Sequence, residues 1–269
     1  MEPKKTVLPF INGFLFALQF LTIIPVPKEV PWDKRHAQAS IVMYPLVGLL
    51  IGAIVAVFYY GFTEWFSLSP LFIAFFLLSL GVLLSGGLHL DGWMDVSDAV
   101  GSYRDVEKKH EIMKDSRVGS FAVLSVFFLL GWRLFFMYEV FLFSPHSLYY
   151  LIVIPFLTKT MMGSNVIFAQ PAKTEGLAYA LQRYVHKRLF GYFICYIVLT
   201  AVGSINISTE FFYHWLILTG SAFLFLVASI GFMKRQFNGM TGDTVGATAE
   251  GGETWLWMVV WILHYFVMG

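Results

Sequence analysis

Apolar residues fill the chain in long runs, roughly 8–24, 37–61, 70–88, 118–143, 148–170, 189–206, 211–233 and 249–268, with short polar segments between them. A helix needs about 20 apolar residues to cross the hydrocarbon of a bilayer, so most of these runs predict transmembrane helices. The polar segments alternate in basic content. Residues 25–36 hold Lys28, Lys34 and Arg35, 62–69 hold no lysine or arginine, 89–117 hold Arg104, Lys108, Lys109, Lys114 and Arg117, and 144–147 hold none. The alternation continues with Lys173, Arg183, Lys187 and Arg188 in 171–188, none in 207–210, and Lys234 and Arg235 in 234–248. By the positive-inside rule every basic segment faces the cytoplasm. Lys4 and Lys5 ask for the same side, so the first run, which carries Asn12, Gly13 and Gln19 before a PVP break, is expected not to cross. The expected fold is all-α, a polytopic integral membrane helical bundle of about seven transmembrane helices plus an N-terminal re-entrant or interfacial helix. Eight full spans is the alternative. Residues 1–269 read as one membrane domain.

Composition sharpens this picture: 58% of the 269 residues are hydrophobic and 13% charged, which excludes a water-soluble globule. A net charge of +1 offers no general attraction to nucleic acid, and none is expected as a partner. The one cysteine, Cys195, rules out an internal disulfide and a zinc site built from paired thiolates. No small-residue cleavage site follows the first run before Pro25, so the N-terminus reads as mature protein.

The chemistry lies in the acidic residues. In GGLHLDGWMDVSDAVGSYRD, Asp91, Asp95 and Asp98 stand at i, i+4 and i+7, within an arc of about 60° on a helix. Adjacent carboxylates about 6 Å apart repel by roughly 3 kcal/mol at an effective dielectric of about 20, so the array asks for a positive partner. A hard cation such as Mg²⁺ fits best, because it takes carboxylate oxygens and keeps positions open for substrate phosphates. Pairing with Arg104, Lys108 and Lys109, or simple solvation of a helix end, is the plainer reading.

A second acidic stretch, GMTGDTVGATAEGGE, puts Asp243 and Glu250 at i and i+7 on one face, with Glu253 off to the side and Thr241, Thr244 and Thr248 offering hydroxyls. Its glycines suit close helix packing, the plainer reading here. Two carboxylate groups from distant segments, meeting on one membrane face, can together hold a metal and supply a base. Between them, HEIMKDSRVGS sets Lys114 and Arg117 beside Asp115, which suits a phosphate- or pyrophosphate-bearing substrate. Arg133 and Lys159 lie inside apolar runs, where buried cations usually face the bundle interior. His89 fronts the aspartate motif as a candidate phosphate donor.

Together FALQFLTIIPVP at 16–27, GGLHLDGWMDVSDAVG at 86–101, YRDVEKKHEIMKDSRVGSFAV at 103–123 and GMTGDTVGATAEGGE at 239–253 resemble the cobalamin synthases, or adenosylcobinamide-GDP ribazoletransferases, nearly end to end. The resemblance implies an enzyme of the cytoplasmic (inner) membrane, with its site facing the cytoplasm and Mg²⁺ as cofactor. It implies transfer from adenosylcobinamide-GDP to α-ribazole or its 5′-phosphate, with release of GMP. The resemblance and the residue spacing combined give an expected site in which Asp91, Asp95 and Asp98 hold the metal. His89, Arg104, Lys114, Asp115, Arg117, Thr241 and Glu253 bind substrate, and Asp243 or Glu250 takes the hydroxyl proton. A homo-oligomer is left open. The family often carries arginine where this chain has Lys159 and Lys173, and lysine meets phosphate as a point charge without bidentate geometry, so Lys159 stays outside the expected site.

Two rivals differ from this reading. A CDP-alcohol phosphotransferase also uses a helical aspartate array, but its pattern has Ala-Arg soon after D-G, where this chain reads D-G-W-M-D-V-S-D. A divalent-cation transporter would line a path across the bilayer, whereas here the acidic residues gather at one face and only Glu139 is expected well within a span.

Overall fold

The computed structural model describes residues 8–174 and 176–267, so the expectation resting on Lys4 and Lys5 lies outside the described residues. The chain runs α1 (Leu8–Leu21), α2 (Lys34–Trp65), α3 (Pro70–Leu84), α4 (Leu88–Gly101), α5 (Val106–Ile112), α6 (Ser120–Phe143), α7 (Ser147–Phe168), α8 (Leu177–Gln182), α9 (Phe190–Ile207), α10 (Thr209–Phe237) and α11 (Gly242–Val267). Helices begin where a side chain can satisfy free backbone N–H groups. Asp33 accepts from the N–H groups of Arg35 and His36 ahead of α2, Asp105 from Lys108 ahead of α5, and Ser208 from Phe211 at α10. Ser69 and Pro70 start α3 in the same way.

The central post is α7, in which every residue from Phe156 to Ile167 is buried. Helix α2 lies against it so closely that a methyl group on Gly52 would stand 2.7 Å from the Ile152 Cα. Lipid is as apolar as leucine, so helices in a bilayer attract one another mainly through such close contact. Around this post α6, α9 and α10 turn large apolar side chains outward, among them Phe127 at 69%, Leu199 at 62% and Leu224 at 67% exposure. Apolar surface on that scale is at home in hydrocarbon.

Among the described residues, five helices are each long and apolar enough to cross: α2, α6, α7, residues 187–207 and α10. Taken together, α3 and α4 would make a sixth, but they meet at 89°. The positive φ angles of Gly86 (65°) and Gly87 (72°) make this corner, a conformation that glycine adopts without a Cβ penalty. Helix α4, with 14 residues, thus turns sharply from the direction of α3, and its aspartates lie outside the five helices that could each cross alone. Helix α11 has 26 residues, but the acidic and small side chains of its first half dilute its apolarity. Helix α1 has 14 residues and is about 21 Å long, well below the ~30 Å hydrocarbon thickness. It is held by its polar residues: Lys28 donates to the Asn12 Oδ1 at 2.8 Å, and Gln19 donates to the carbonyls of Val26 and Lys28. These contacts agree with the non-crossing reading of the first run.

Candidate active site

Helices α4 and α11 touch backbone to backbone. A methyl group on Gly92 would stand 2.7 Å from the Asp243 carbonyl oxygen, and one on Gly246 would stand 3.1 Å from the His89 Cα. The glycines of both motifs therefore serve the contact that brings the two acidic stretches together. Gly92→Val overfills this seam and is expected to cost about 1–3 kcal/mol, read as a lowered thermal unfolding midpoint in detergent. An unchanged midpoint would show that the two helices are not in contact.

The carboxylates on this seam repel one another. Burial, and then the charges of Asp91, Asp243 and Asp98, push the Asp95 carboxyl up to about 7. Such a group gains most from a cation. No three or more metal-ligating side chains close on a common point among the described residues, so the match to a divalent metal is one of charge and hard oxygen donors, not of a finished coordination shell. Asp98 has a second task. Its Oδ2 accepts the Gly119 N–H at 2.6 Å and its Oδ1 accepts the Ala122 N–H at 2.8 Å, which caps α6 from another helix. A carboxylate oxygen can take a further partner, but this one is oriented by α6.

Beside the seam lies a cavity of about 430 Å³ walled by His89, Lys114, Lys173, Thr241 and Asp243 on its polar side, with Tyr44 among its apolar lining. Thr241 and Thr244 exchange bonds at the head of α11: the Thr241 N–H donates to the Thr244 Oγ1 at 2.8 Å and the Thr244 N–H to the Thr241 Oγ1 at 3.2 Å. The pair holds Asp243 in the first helical turn, toward the cavity.

The other expected site residues lie elsewhere. Arg117 and Asp115 form an exposed pair, with the guanidinium donating to both carboxylate oxygens; this holds the Asp115 carboxyl down at about 2. Arg104 is exposed. Neither arginine lines the cavity. Glu250 and Glu253 are deeper than expected because α11 begins at Gly242, before the apolar run at 249, so they lie within the helix and not at its border. Arg133 of α6, 2% exposed, donates to the Glu250 Oε2 at 2.8 Å and to the Glu250 carbonyl at 2.7 Å, and stands 3.6 Å from the Glu253 Oε1. These groups surround an inner chamber of about 50 Å³ that also touches Lys159 and His89. Glu250 is thereby committed to an ion pair, and Asp243 is the carboxylate of α11 that meets the large cavity.

Lys173 and His110 were missing from the expected site, and both line the cavity. The His110 Nε2 bonds to the Phe237 carbonyl at 3.0 Å while its Nδ1 has no partner among the described residues. Burial, aided by Lys173 and Lys114, pulls its pKa below the usual histidine value against the pull of the Phe237 carbonyl. The sequence signal was slight: His110 directly precedes the EIMKDSR stretch.

The family model of cobalamin-5-phosphate synthase matches residues 13–261. An adenosylcobinamide-GDP ribazoletransferase of Geobacillus sp. (strain WCH70) is 43% identical over 264 residues, 96% of this chain and 98% of its own. Proteins of the same name from Geobacillus thermodenitrificans (strain NG80-2) and Clostridium tetani (strain Massachusetts / E88) are 40% identical over 265 residues and 30% over 259, covering 96% and 95% of this chain and 98% of each relative. No solved structure matches. A family match running from α1 into the last turns of α11 takes in both acidic segments and the cavity between them, and the chain belongs to the cobalamin-5-phosphate synthase family of transferases.

Proposed function

We propose that the protein joins adenosylcobinamide-GDP to α-ribazole or its 5′-phosphate at the cytoplasmic face of the membrane, releasing GMP. The observation that carries this reading is Asp243 in the wall of a cavity that also presents Lys114 and Lys173, with Asp91 and Asp95 of α4 within electrostatic reach of Asp243 behind it. Carboxylates opposite lysines suit a pyrophosphate that reaches the protein with a divalent cation. Mg²⁺ would be held by Asp91 and Asp95, with Asp98 fixing the helix that carries them, and when bound it would supply positive charge to the pyrophosphate oxygens.

The ribazole hydroxyl oxygen forms a bond to the phosphorus attached to cobinamide, and the bond from that phosphorus to the GMP oxygen breaks. The hydroxyl proton passes to the Asp243 carboxylate, which is placed in the cavity wall. Lys114 and Lys173 compensate the charge that builds on the departing phosphate. The cavity's apolar side, with Tyr44 and Met162, receives the less polar parts of the substrates and limits water near the reacting phosphorus.

The test is turnover by the purified protein in liposomes with both substrates. One GMP should appear per corrinoid phosphodiester formed, with loss of activity on chelation and recovery with Mg²⁺. Turnover indifferent to chelation would remove the metal, and corrinoid product without GMP would remove the reaction.

A further inference from the structure

We propose that Lys159 is a positioning residue that fixes the His89 imidazole as a hydrogen-bond donor to the substrate. The proposal rests on the transferase reading above. Lys159 stands in the middle of α7 at 5% exposure, and His89 opens α4 at 3%. The Lys159 Nζ lies 3.2 Å from the His89 Nδ1. An ammonium has three hydrogens and no lone pair, so in this contact the lysine donates and Nδ1 accepts. The imidazole proton is then on Nε2. That atom is buried and has no partner among the described residues. A buried donor without an acceptor is costly, and histidine tautomers are set by the bond made at the other nitrogen.

The surroundings supply the rest. His89 separates the large cavity from the inner chamber and lines both. Its backbone packs closely on Gly246 of α11. On the chamber side the carboxylates of Glu250 and Glu253 lie within electrostatic reach of Lys159, as does Arg133, so two cations face two anions. The groups come from four helices: Arg133 bonds the two glutamates, Lys159 bonds His89, and the two pairs face each other across the chamber. What it lacks is an acceptor at Nε2, and the substrates bring phosphate and hydroxyl oxygens. Asp243, which shares the cavity wall with His89, ties this donor to the acidic side of the site.

Four variants and one spectrum test the idea. Lys159→Met keeps length and bulk without a donor, and kcat/KM for GMP release should fall about 10–100-fold, the usual loss when an orienting group is removed. Lys159→Arg retains a cationic donor and should recover most of that loss. His89→Gln places an amide N–H near the Nε2 position and His89→Asn places one near Nδ1, so glutamine should outperform asparagine. In the His89→Gln background Lys159→Met should cost little more, because an amide needs no lysine to define its donor. Independently of substrate, ¹⁵N spectra of histidine-labelled protein should show the His89 Nε2 protonated in the wild type and a mixture of tautomers in Lys159→Met. An unchanged tautomer with unchanged kcat/KM in Lys159→Met overturns the proposal, as does equal inactivity of the glutamine and asparagine variants. Should Lys159→Met fail to fold, recovery by arginine and the order of the two His89 variants still decide. Wild-type protein that shows the tautomer but releases no GMP would instead overturn the transferase reading.

Discussion

Asp91→Asn and Asp95→Asn each lower GMP release by about 10²–10³-fold, the scale of loss when one electrostatic group is taken from a transition-state site. Asparagine keeps the shape and one oxygen of aspartate but removes the charge that a divalent cation requires. The two positions should differ in a second measurement. Asp95 is the more enclosed, and its neighbours Asp91, Asp243 and Asp98 all repel it. Neutralising it relieves that repulsion in the metal-free protein, so Asp95→Asn should raise the unfolding midpoint without Mg²⁺ even as it removes activity. Asp91 is exposed and gives up less strain when neutralised. Full turnover in both variants would end the metal assignment and leave family membership untouched.

Arg133→Met is the substitution with the largest expected effect on stability, about 3–5 kcal/mol, the usual loss when one partner of a buried ion pair is removed. The guanidinium is 2% exposed and serves Glu250 twice, Glu253 once and the Thr254 hydroxyl at 2.9 Å. Without it two carboxylates remain in the bundle interior with Lys159 as the facing cation. Adding Glu250→Gln should restore much of the lost midpoint, since the charge left unpaired is then gone. Thermal unfolding in one detergent, across wild type, both single variants and the double, gives the coupling directly. Strict additivity would mean that Arg133 and Glu250 do not act as a pair.

The helical, membrane-bound character and the register of the aspartates were legible because both are periodic properties of neighbouring residues. Hydropathy located α2, α6, α7, α9 and α10 to within a few positions. It missed the start of α11, since Gly242 to Thr248 are small or polar and say nothing about hydrocarbon while being able to form helix. From that one shift followed the misplacement of Glu250 and Glu253 at a border. The partners of these groups were beyond reach for a different reason: Arg133 and Glu250 are 117 positions apart, and nothing local in either segment names the other. Asp98 shows the same limit. Its spacing from Asp95 is what a metal array requires, yet its oxygens are turned to the head of α6, a direction set by how α4 crosses its neighbours. Thr241, Asp243 and Lys114 line one cavity, although Lys114 is far from the other two in sequence, a meeting that no local motif names.

The corner at Gly86 and Gly87 also shapes the lipid around it. Helix α3 has 15 residues and stops there after about 22 Å of rise, several ångströms less than the ~30 Å of acyl chain that a full crossing traverses. A bilayer meets a short hydrophobic segment by thinning beside it. A bilayer is therefore expected to thin on this flank, which would bring headgroups and water toward the Gly86–Gly87 corner. On the transferase reading proposed above, a nucleotide-bearing substrate would then reach the aspartates through a hydrated depression, without passing through oil.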